Sequence, residues 1–272
     1  MTQMTQMAQM THFEMVGEFH KTFGHPINTI PQTNIFNEKP NVVNLRVKLI
    51  YEEINELLNA IKNRDIIECI DGVCDILYVV YGTFHTIGIN YDEGYGNINY
   101  NNYFLEQSKL KIQYKCFTHH DLCIKTMYGN DFFKNNLIKY IADLLKEINF
   151  YNDVNFYKSL YIFTNKLFDI IILCHMMANV LNISLDKCFD EIHKSNMTKM
   201  CINEYELEKT LEMYEKQNIK VNYTICSENK SQYIVKRDSD SKILKSINYK
   251  KPDFSDLIKF INGTFIQLDI NN

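Results

Sequence analysis

The run of residues 66–88 limits the fold of this chain more than any other stretch. It is apolar almost all round in a helical projection, yet it carries Glu68, Asp71 and Asp75 at the spacing i, i+3 and i+7. A helix that is apolar on every side is normally buried among other elements. The run therefore predicts a buried helix with three carboxylates on one face, within a sector of about 60°.

Helical periodicity also dominates the rest of the chain. Apolar residues at i, i+4, i+7 and i+11 predict a helix that ends near Asn63, with Asn41 or Asn44 as its N-cap. Asp65 is the expected N-cap of the helix over 66–88. Further helices are predicted at His12–Phe23, about 133–149, 156–182, 185–200 and 203–218. No alternating strand pattern is present, so we expect an all-α fold whose last 50 residues form a tail with a few short elements.

Composition narrows the class of protein. The net charge of -4 argues against a dedicated nucleic-acid binder, which requires a basic surface. The apolar run 160–183 contains Lys166, Asp169 and His175, so it is predicted to be a buried helix rather than a membrane span. The cysteines form no C-x-x-C pair and the first ten residues do not resemble a signal peptide. We therefore expect a reducing, cytoplasmic location and no membrane partner.

A second group of acids, Glu52, Glu53 and Glu56, lies on the preceding helix. On a helix these three side chains crowd one side, where like charges repel one another. Two antiparallel helices joined by a short turn would bring this group opposite the acids of 66–88. Oxygen ligands around one cavity suit Mg²⁺ or Mn²⁺. The alternative, a solvated acidic face, does not account for carboxylates within an apolar helix.

The two acidic helices and three other blocks resemble a known family. The run LIYEEINELLNAIKNRDIIECIDGVCDILYVVYGTFHTIGI is similar to the MazG-like, all-α nucleoside triphosphate pyrophosphohydrolases, which include phosphoribosyl-ATP pyrophosphohydrolase and dimeric dUTPases. A phage- and virus-type branch is similar in FHKTFGHPIN, DEIHKSNMTK and YIVKRDSDSKILKSINYKKPDFSDLI. The blocks cover roughly 12–96, 184–200 and 233–258. The first ten residues are a short TQM-type repeat without a periodic apolar pattern, so we expect a disordered start (1–11). The resemblance implies a four-helix-bundle domain (12–200) with a helical insertion at about 97–183, and a tail (201–272) that completes the site.

The chain departs from the family pattern in its second acidic motif and in its insertion. The second acidic motif is usually E-x-x-D ending at the position of Asp75, but the residue three positions earlier is Gly72. Either Asp71 replaces the missing acid, or Glu68 and Asp71 form the motif themselves. The insertion also contains two runs that align with the acidic helices but have lost most of the acids, at 137–148 and 168–184. This indicates a degenerate duplication in which Asp169 aligns with Asp75, with chance similarity as the alternative.

The resemblance also implies an activity and the residues that perform it. The activity is hydrolysis of a nucleoside triphosphate, with a deoxynucleoside triphosphate as the expected substrate, to the monophosphate and pyrophosphate. The implied ligands of Mg²⁺, or of Mn²⁺, are Glu53, Glu56, Asp71 and Asp75. Glu52 or Glu68 would complete the metal shell or orient the attacking water. The implied substrate-binding residues are Asn196, Lys199, Arg237, Lys242, Lys245 and Tyr249.

Two alternatives to this activity stay open at the level of sequence. One is a dUTPase-specific enzyme of the dimeric type, and the other is a non-catalytic helical scaffold. The scaffold is less favoured, because general decay would not spare the acids of the first helix pair alone. The family implies a homodimer, whereas a true duplication would allow a monomer, and a viral protein would act in the host cytoplasm.

Overall fold

The computed structural model describes residues 10–92, 131–148, 150, 160–255 and 257. Within these residues lie eight helices and one two-stranded sheet, so the predicted all-α class is confirmed. The helices are α1 (His12–Phe23), α2 (Ile35–Glu38), α3 (Pro40–Asn63), α4 (Ile66–Ile87), α5 (Asp131–Glu147), α6 (Leu160–Leu181), α7 (Leu185–Met197) and α8 (Glu204–Lys216). The strands are β1 (Val221–Ile225) and β2 (Tyr233–Arg237). Most of the segment predicted to be disordered, residues 1–9, lies outside the described residues.

A tight turn joins the two acidic helices α3 and α4. Arg64 ends α3 in the left-handed conformation, with φ of 59°. Asp65 then caps α4, because its Oδ1 accepts the backbone N–H groups of Ile67 and Glu68 at 3.1 Å each. The predicted cap at Asp65 is thus confirmed, and the short turn makes the two helices run antiparallel.

The start of α3 differs from the prediction. An N-cap at Asn41 or Asn44 is wrong, because α3 begins at Pro40 and Lys39 occupies the cap position without a side-chain hydrogen bond. Proline is favoured in the first turn of a helix, where its fixed φ fits and its missing N–H is not needed. The helix therefore begins at its proline, ahead of either asparagine.

The central helix of the fold is α4. Helices α1, α3, α6 and α7 all pack against it, and most of its side chains from Cys69 to Ile87 are buried. The prediction of a buried helix is confirmed. The partly buried positions include Asp71 and Asp75, which lie on the side that faces the acids of α3.

A four-helix bundle forms within the one chain. Helix α3 packs on α4, α4 on α6, α6 on α5, and α5 on α3. By length and composition α6 could cross a membrane, with a mean hydropathy of 1.4, but 56% of that stretch is buried inside the protein. Here α6 is a core helix, as its sequence predicts. The two helices of the predicted insertion thus complete the bundle around the acidic pair.

The C-terminal tail contains a β-hairpin that the sequence analysis did not predict. Strands β1 and β2 pair in antiparallel fashion, with Val221 opposite Arg237 and Ile225 opposite Tyr233. Helix α8 packs on β2 around a small second core of Cys201, Leu207, Tyr214, Tyr233 and Val235. After β2 the chain returns to the end of α7, where the Ser246 N–H donates to the Lys199 carbonyl at 3.2 Å. The hairpin therefore places residues 238–250 beside the acidic helices.

Gly72 lies at a close approach of α4 to α3. A Cβ at this position would lie 3.1 Å from the Cα of Leu57, and backbone cannot move aside as a flexible side chain can. We expect Gly72→Ala to lower the free energy of unfolding by about 1–3 kcal/mol in urea denaturation, although alanine favours helices. Asn55→Ala, at an exposed position of α3, is the control and should change it by less than about 0.5 kcal/mol. A Gly72→Ala protein as stable as the original would contradict this account of the close approach.

Candidate active site

A cavity of about 240 Å³ lies between α1, α3, α4 and α7, beside the loop that follows β2. Phe19, Leu49 and Val79 are among the apolar side chains that line it. The charged side chains that line it are Arg46, Lys48, Glu52, Glu53, Asp75, Lys199, Asp240 and Lys242. An apolar pocket with a few convergent charged groups is the usual form of a small-molecule site.

The acids of α3 and α4 lie within electrostatic reach of one another. Burial, together with the neighbouring acids, raises the pKa of Glu53, Asp71 and Asp75 to about 7 each. Glu56 contributes to the raised pKa of all three. The four acids that the sequence analysis nominates as metal ligands therefore interact electrostatically across α3 and α4. Their role as ligands stays a prediction.

Glu52 and Glu68, the two candidates for orienting water, occupy different places. Glu52 lines the cavity, half-buried. Glu68 is exposed in the first turn of α4, does not line the cavity, and contributes to the raised pKa of Asp71. Of the two, Glu52 is therefore the better placed to act on a molecule in the cavity.

The donor chemistry of this acidic cluster fits a hard divalent cation. Carboxylate oxygens are the protein ligands that Mg²⁺ prefers, and a cation would relieve the repulsion that helps to raise their pKa. Across the described ranges, no three His, Cys, Asp or Glu side chains already form a metal-binding group. The carboxylates of α3 and α4 would therefore have to turn toward one another when a cation binds.

Three predicted substrate-binding lysines face the acids from the opposite side. Lys199, just after α7, interacts with Asp75, and burial lowers the pKa of its ammonium group. Lys242 forms an ion pair with Glu52, with 2.6 Å between Nζ and Oε1. Lys245 is exposed and still opposes the raised pKa of Asp75. These cations lie where anionic groups beyond the carboxylates would need a counter-charge.

Arg237 and Tyr249 do not line the cavity in this structure. Arg237 donates to Asp240 from Nε and Nη2, at 2.9 and 2.6 Å, and so braces the loop after β2. The Tyr249 hydroxyl is hydrogen-bonded to Ser195 Oγ at 2.9 Å, and its ring lies 4.5 Å beneath the Lys245 ammonium. Their predicted contact with substrate therefore stays a prediction.

The sequence analysis did not identify a series of hydrogen bonds that joins Tyr78, His193 and Glu18 at the wall of the cavity. The Tyr78 hydroxyl lies 3.0 Å from His193 Nδ1, and His193 Nε2 lies 3.0 Å from the Glu18 carboxylate. Because a carboxylate only accepts, Nε2 carries the proton and a neutral ring then accepts from Tyr78 at Nδ1. Tyr78 is in turn hydrogen-bonded to the side chain of buried Asn196. These hydrogen bonds fix the side chains of Tyr78 and Asn196, which both line the cavity. They have no local sequence signal, because Glu18 and His193 are 175 residues apart.

Arg46 was also missed. Its side chain is only 8% exposed and reaches α4, where Nε donates to Thr83 Oγ1 at 3.0 Å and Nη2 to the Val79 carbonyl at 2.6 Å. Arg46 precedes Glu53 by two helical turns, so both side chains lie on the same face of α3. That i, i+7 spacing was the signal that could have found it.

Comparisons with known proteins identify relatives of this chain. The sequence model for the family phosphoribosyl-ATP pyrophosphohydrolase matches residues 16–102, which include both acidic helices. The chain is 34% identical over 266 residues to uncharacterized protein L479 of Acanthamoeba polyphaga mimivirus, and the match covers 95% of this chain and 100% of that relative. No solved structure matches the chain.

This chain belongs to the MazG-like family of nucleoside triphosphate pyrophosphohydrolases, as its residues predict. The family supports pyrophosphohydrolase activity on nucleotides, and thus a hydrolase that acts on phosphoric anhydrides.

Proposed function

We propose that this protein hydrolyses a nucleoside triphosphate, with a deoxynucleoside triphosphate as the expected substrate, to the monophosphate and pyrophosphate, in a reaction that depends on Mg²⁺. The observation that carries this proposal is a cluster of three carboxyl groups whose pKa is raised to about 7, two of which, Glu53 and Asp75, line one cavity together with Lys199 and Lys242. Such a cluster is unfavourable without a cation, which makes a structural role a poor explanation. Perturbed acids in a cleft are typical of functional sites.

The acids and the lysines would have different roles, because the acids would bind the cation and the lysines the phosphates. Glu53, Glu56, Asp71 and Asp75 would hold Mg²⁺, which when bound neutralises triphosphate charge and polarises the phosphorus under attack. Lys199 and Lys242 are placed to bind the phosphate oxygens that the carboxylates repel. Glu52, which lines the same cavity, would accept a proton from the attacking water once a phosphate oxygen displaces it from Lys242.

The lining of the cavity would orient the substrate. The carboxylates and Lys199 lie toward the middle of α3, whereas the apolar side chains Val42, Leu45 and Leu49 line the part nearer its start. A triphosphate would extend toward the charged end and the base toward the apolar end. This direction points the α-phosphate at the acids, which suits cleavage between the α- and β-phosphates.

The test is to incubate the purified protein with each nucleoside and deoxynucleoside triphosphate, and with dUTP, in Mg²⁺, in Mn²⁺ and in EDTA. We expect metal-dependent release of pyrophosphate with an equal amount of monophosphate. Release of inorganic phosphate and the nucleoside diphosphate would instead show cleavage between the β- and γ-phosphates and contradict the proposal. Turnover of dUTP alone would favour the dUTPase-type alternative, and a folded protein that turns over nothing would favour the scaffold.

If the activity is confirmed, its consequence is control or sanitation of the nucleotide pool. The expected site of action is the cytoplasm, or the host cytoplasm for a viral protein. Light scattering on the purified chain would separate the predicted homodimer from a monomer.

A further inference from the structure

Arg46 carries a buried positive charge that has no counter-ion within the described residues. Its two described hydrogen bonds go to neutral acceptors, the Thr83 hydroxyl and the Val79 carbonyl. Burial alone lowers the pKa of its guanidinium to about 10, without any carboxylate that raises it. A guanidinium has five N–H donors, so this one retains donor capacity at the cavity wall. A buried donor that stays unsatisfied is costly, and a ligand in the cavity could provide the acceptor.

His20 places a hydrogen-bond acceptor beside this donor. Burial and the Arg46 charge lower the pKa of His20 to about 2, so its imidazole is neutral. Its Nδ1 lies 2.9 Å from the Pro26 carbonyl oxygen, which only accepts; Nδ1 therefore carries the proton and Nε2 is the acceptor. A Cβ added at Gly82 would lie 2.5 Å from both His20 Nε2 and Arg46 Nη2. The acceptor and the donor are thus neighbours over the same glycine of α4.

The surroundings of this pair suit a flat uncharged ring. Phe19 and His25 stack with their ring centroids 5.8 Å apart, and both line the cavity. Burial lowers the pKa of His25 to about 3, so it adds no positive charge for a phosphate. Arg46 precedes Glu53 by seven residues, or about 10 Å along α3. That separation is comparable to the distance from the α-phosphate of a nucleotide to the far edge of its base.

We propose that Arg46 and His20 form a base-recognition site that selects nucleobases with a lactam edge, a carbonyl next to a ring N–H. The carbonyl accepts from Arg46 and the ring N–H donates to His20 Nε2. Uracil, thymine, guanine and hypoxanthine present this edge, whereas cytosine and adenine present an amino group that would face the donor-only guanidinium. This inference rests on the proposed function for the position of the phosphates, but it concerns the other end of the cavity.

The test uses substrates that differ at this edge alone. Uracil and cytosine form one such pair, and hypoxanthine and adenine form the other. We expect kcat/KM at least about tenfold higher for dUTP than for dCTP, and for dITP than for dATP. Arg46→Met should reduce both ratios toward one, while the exposed Lys62→Met on α3 leaves them unchanged. Equal rates within each pair, or ratios that Arg46→Met does not change, would overturn the proposal.

Calorimetric binding of the monophosphates makes the test independent of catalysis. Suppose that the protein hydrolyses nothing but prefers dUMP over dCMP and dIMP over dAMP. This result would support the base site and contradict only the proposed function. Binding of none of the four would overturn the base site as well. Should Arg46→Met fail to fold, Gly82→Ala displaces only the ends of two flexible side chains, Arg46 and His20, and is expected to lower the same ratios.

Discussion

A Glu53→Gln substitution is expected to reduce Mg²⁺-dependent pyrophosphate release by about a hundredfold or more. Glu53 connects the two acidic helices, because Glu56 on α3 contributes to its raised pKa and Glu53 itself contributes to that of Asp75 on α4. Glutamine keeps the shape of the side chain and removes the negative charge that a cation requires. Pyrophosphate release at pH 8, measured over a range of Mg²⁺ concentrations, gives the effect.

The fold should survive this substitution. The pKa of Glu53 is raised because its ionised form is disfavoured by burial and by neighbouring acids, so a neutral glutamine removes repulsion. Thermal unfolding in EDTA is therefore expected to occur at the same temperature or higher. Glu215→Gln, an exposed position on α8, is the matched control and should retain full activity. A Glu53→Gln protein whose activity lies within about threefold of the original would show that Glu53 is not part of the metal site.

The elements that carry the acids could be predicted from sequence because their signals are local. Helical periodicity places Asp71 and Asp75 on one face, and a capping aspartate at 65 fixes where α4 begins. A turn of this length leaves α3 and α4 antiparallel neighbours. The meeting of the two acidic groups therefore follows from spacing alone, and the raised pKa values follow from their meeting.

The rest of the site depends on contacts between distant parts of the chain. Glu18 meets His193 across 175 residues, and Lys242 meets Glu52 across 190. Arg46 has an ordinary place in an amphipathic helix, and its importance appears only when Thr83 and Val79 close over it. The β-hairpin was missed because its strands are short and their burial does not alternate. Strand β1 is exposed along most of its length, whereas the first three residues of β2 are all buried.

The duplication stays a prediction, but the structure shows where its two helices lie. Helices α5 and α6 complete a bundle with α3 and α4, which is where a second copy would lie. Burial raises the pKa of Asp169, the counterpart of Asp75, to about 6, and no other acid contributes to this shift. The second pair therefore has the apolar faces of the first without its acidic cluster.

Neutralising Asp75 should stabilise the metal-free protein. Burial and the acids Glu53 and Glu56 raise its folded-state pKa from 3.8 to about 7. Between these two values the folded state binds more protons than the unfolded state, so the contribution of Asp75 to stability falls as pH rises and stays low above pH 7. We expect Asp75→Asn in EDTA at pH 8 to increase the free energy of unfolding by at least about 1 kcal/mol, or about 2 °C in Tm. The increase should be smaller at pH 5, where Asp75 is still protonated in the folded protein.

The effect of Asp75 must be measured as a difference between variants at the same pH, because the buried histidines change the free energy of unfolding with pH in the opposite direction. Burial lowers the pKa of His20 and His25 well below 6.5, so their contribution to stability rises with pH up to that value in both proteins and cancels in the difference. Asp169→Asn is the matched control, since Asp169 is also an acid whose pKa burial raises. Both substitutions should stabilise the protein in EDTA, but Mg²⁺ should raise the Tm of the original and of Asp169→Asn and no longer that of Asp75→Asn. An equal Mg²⁺ response in all three proteins would show that Asp75 is not a ligand of the cation.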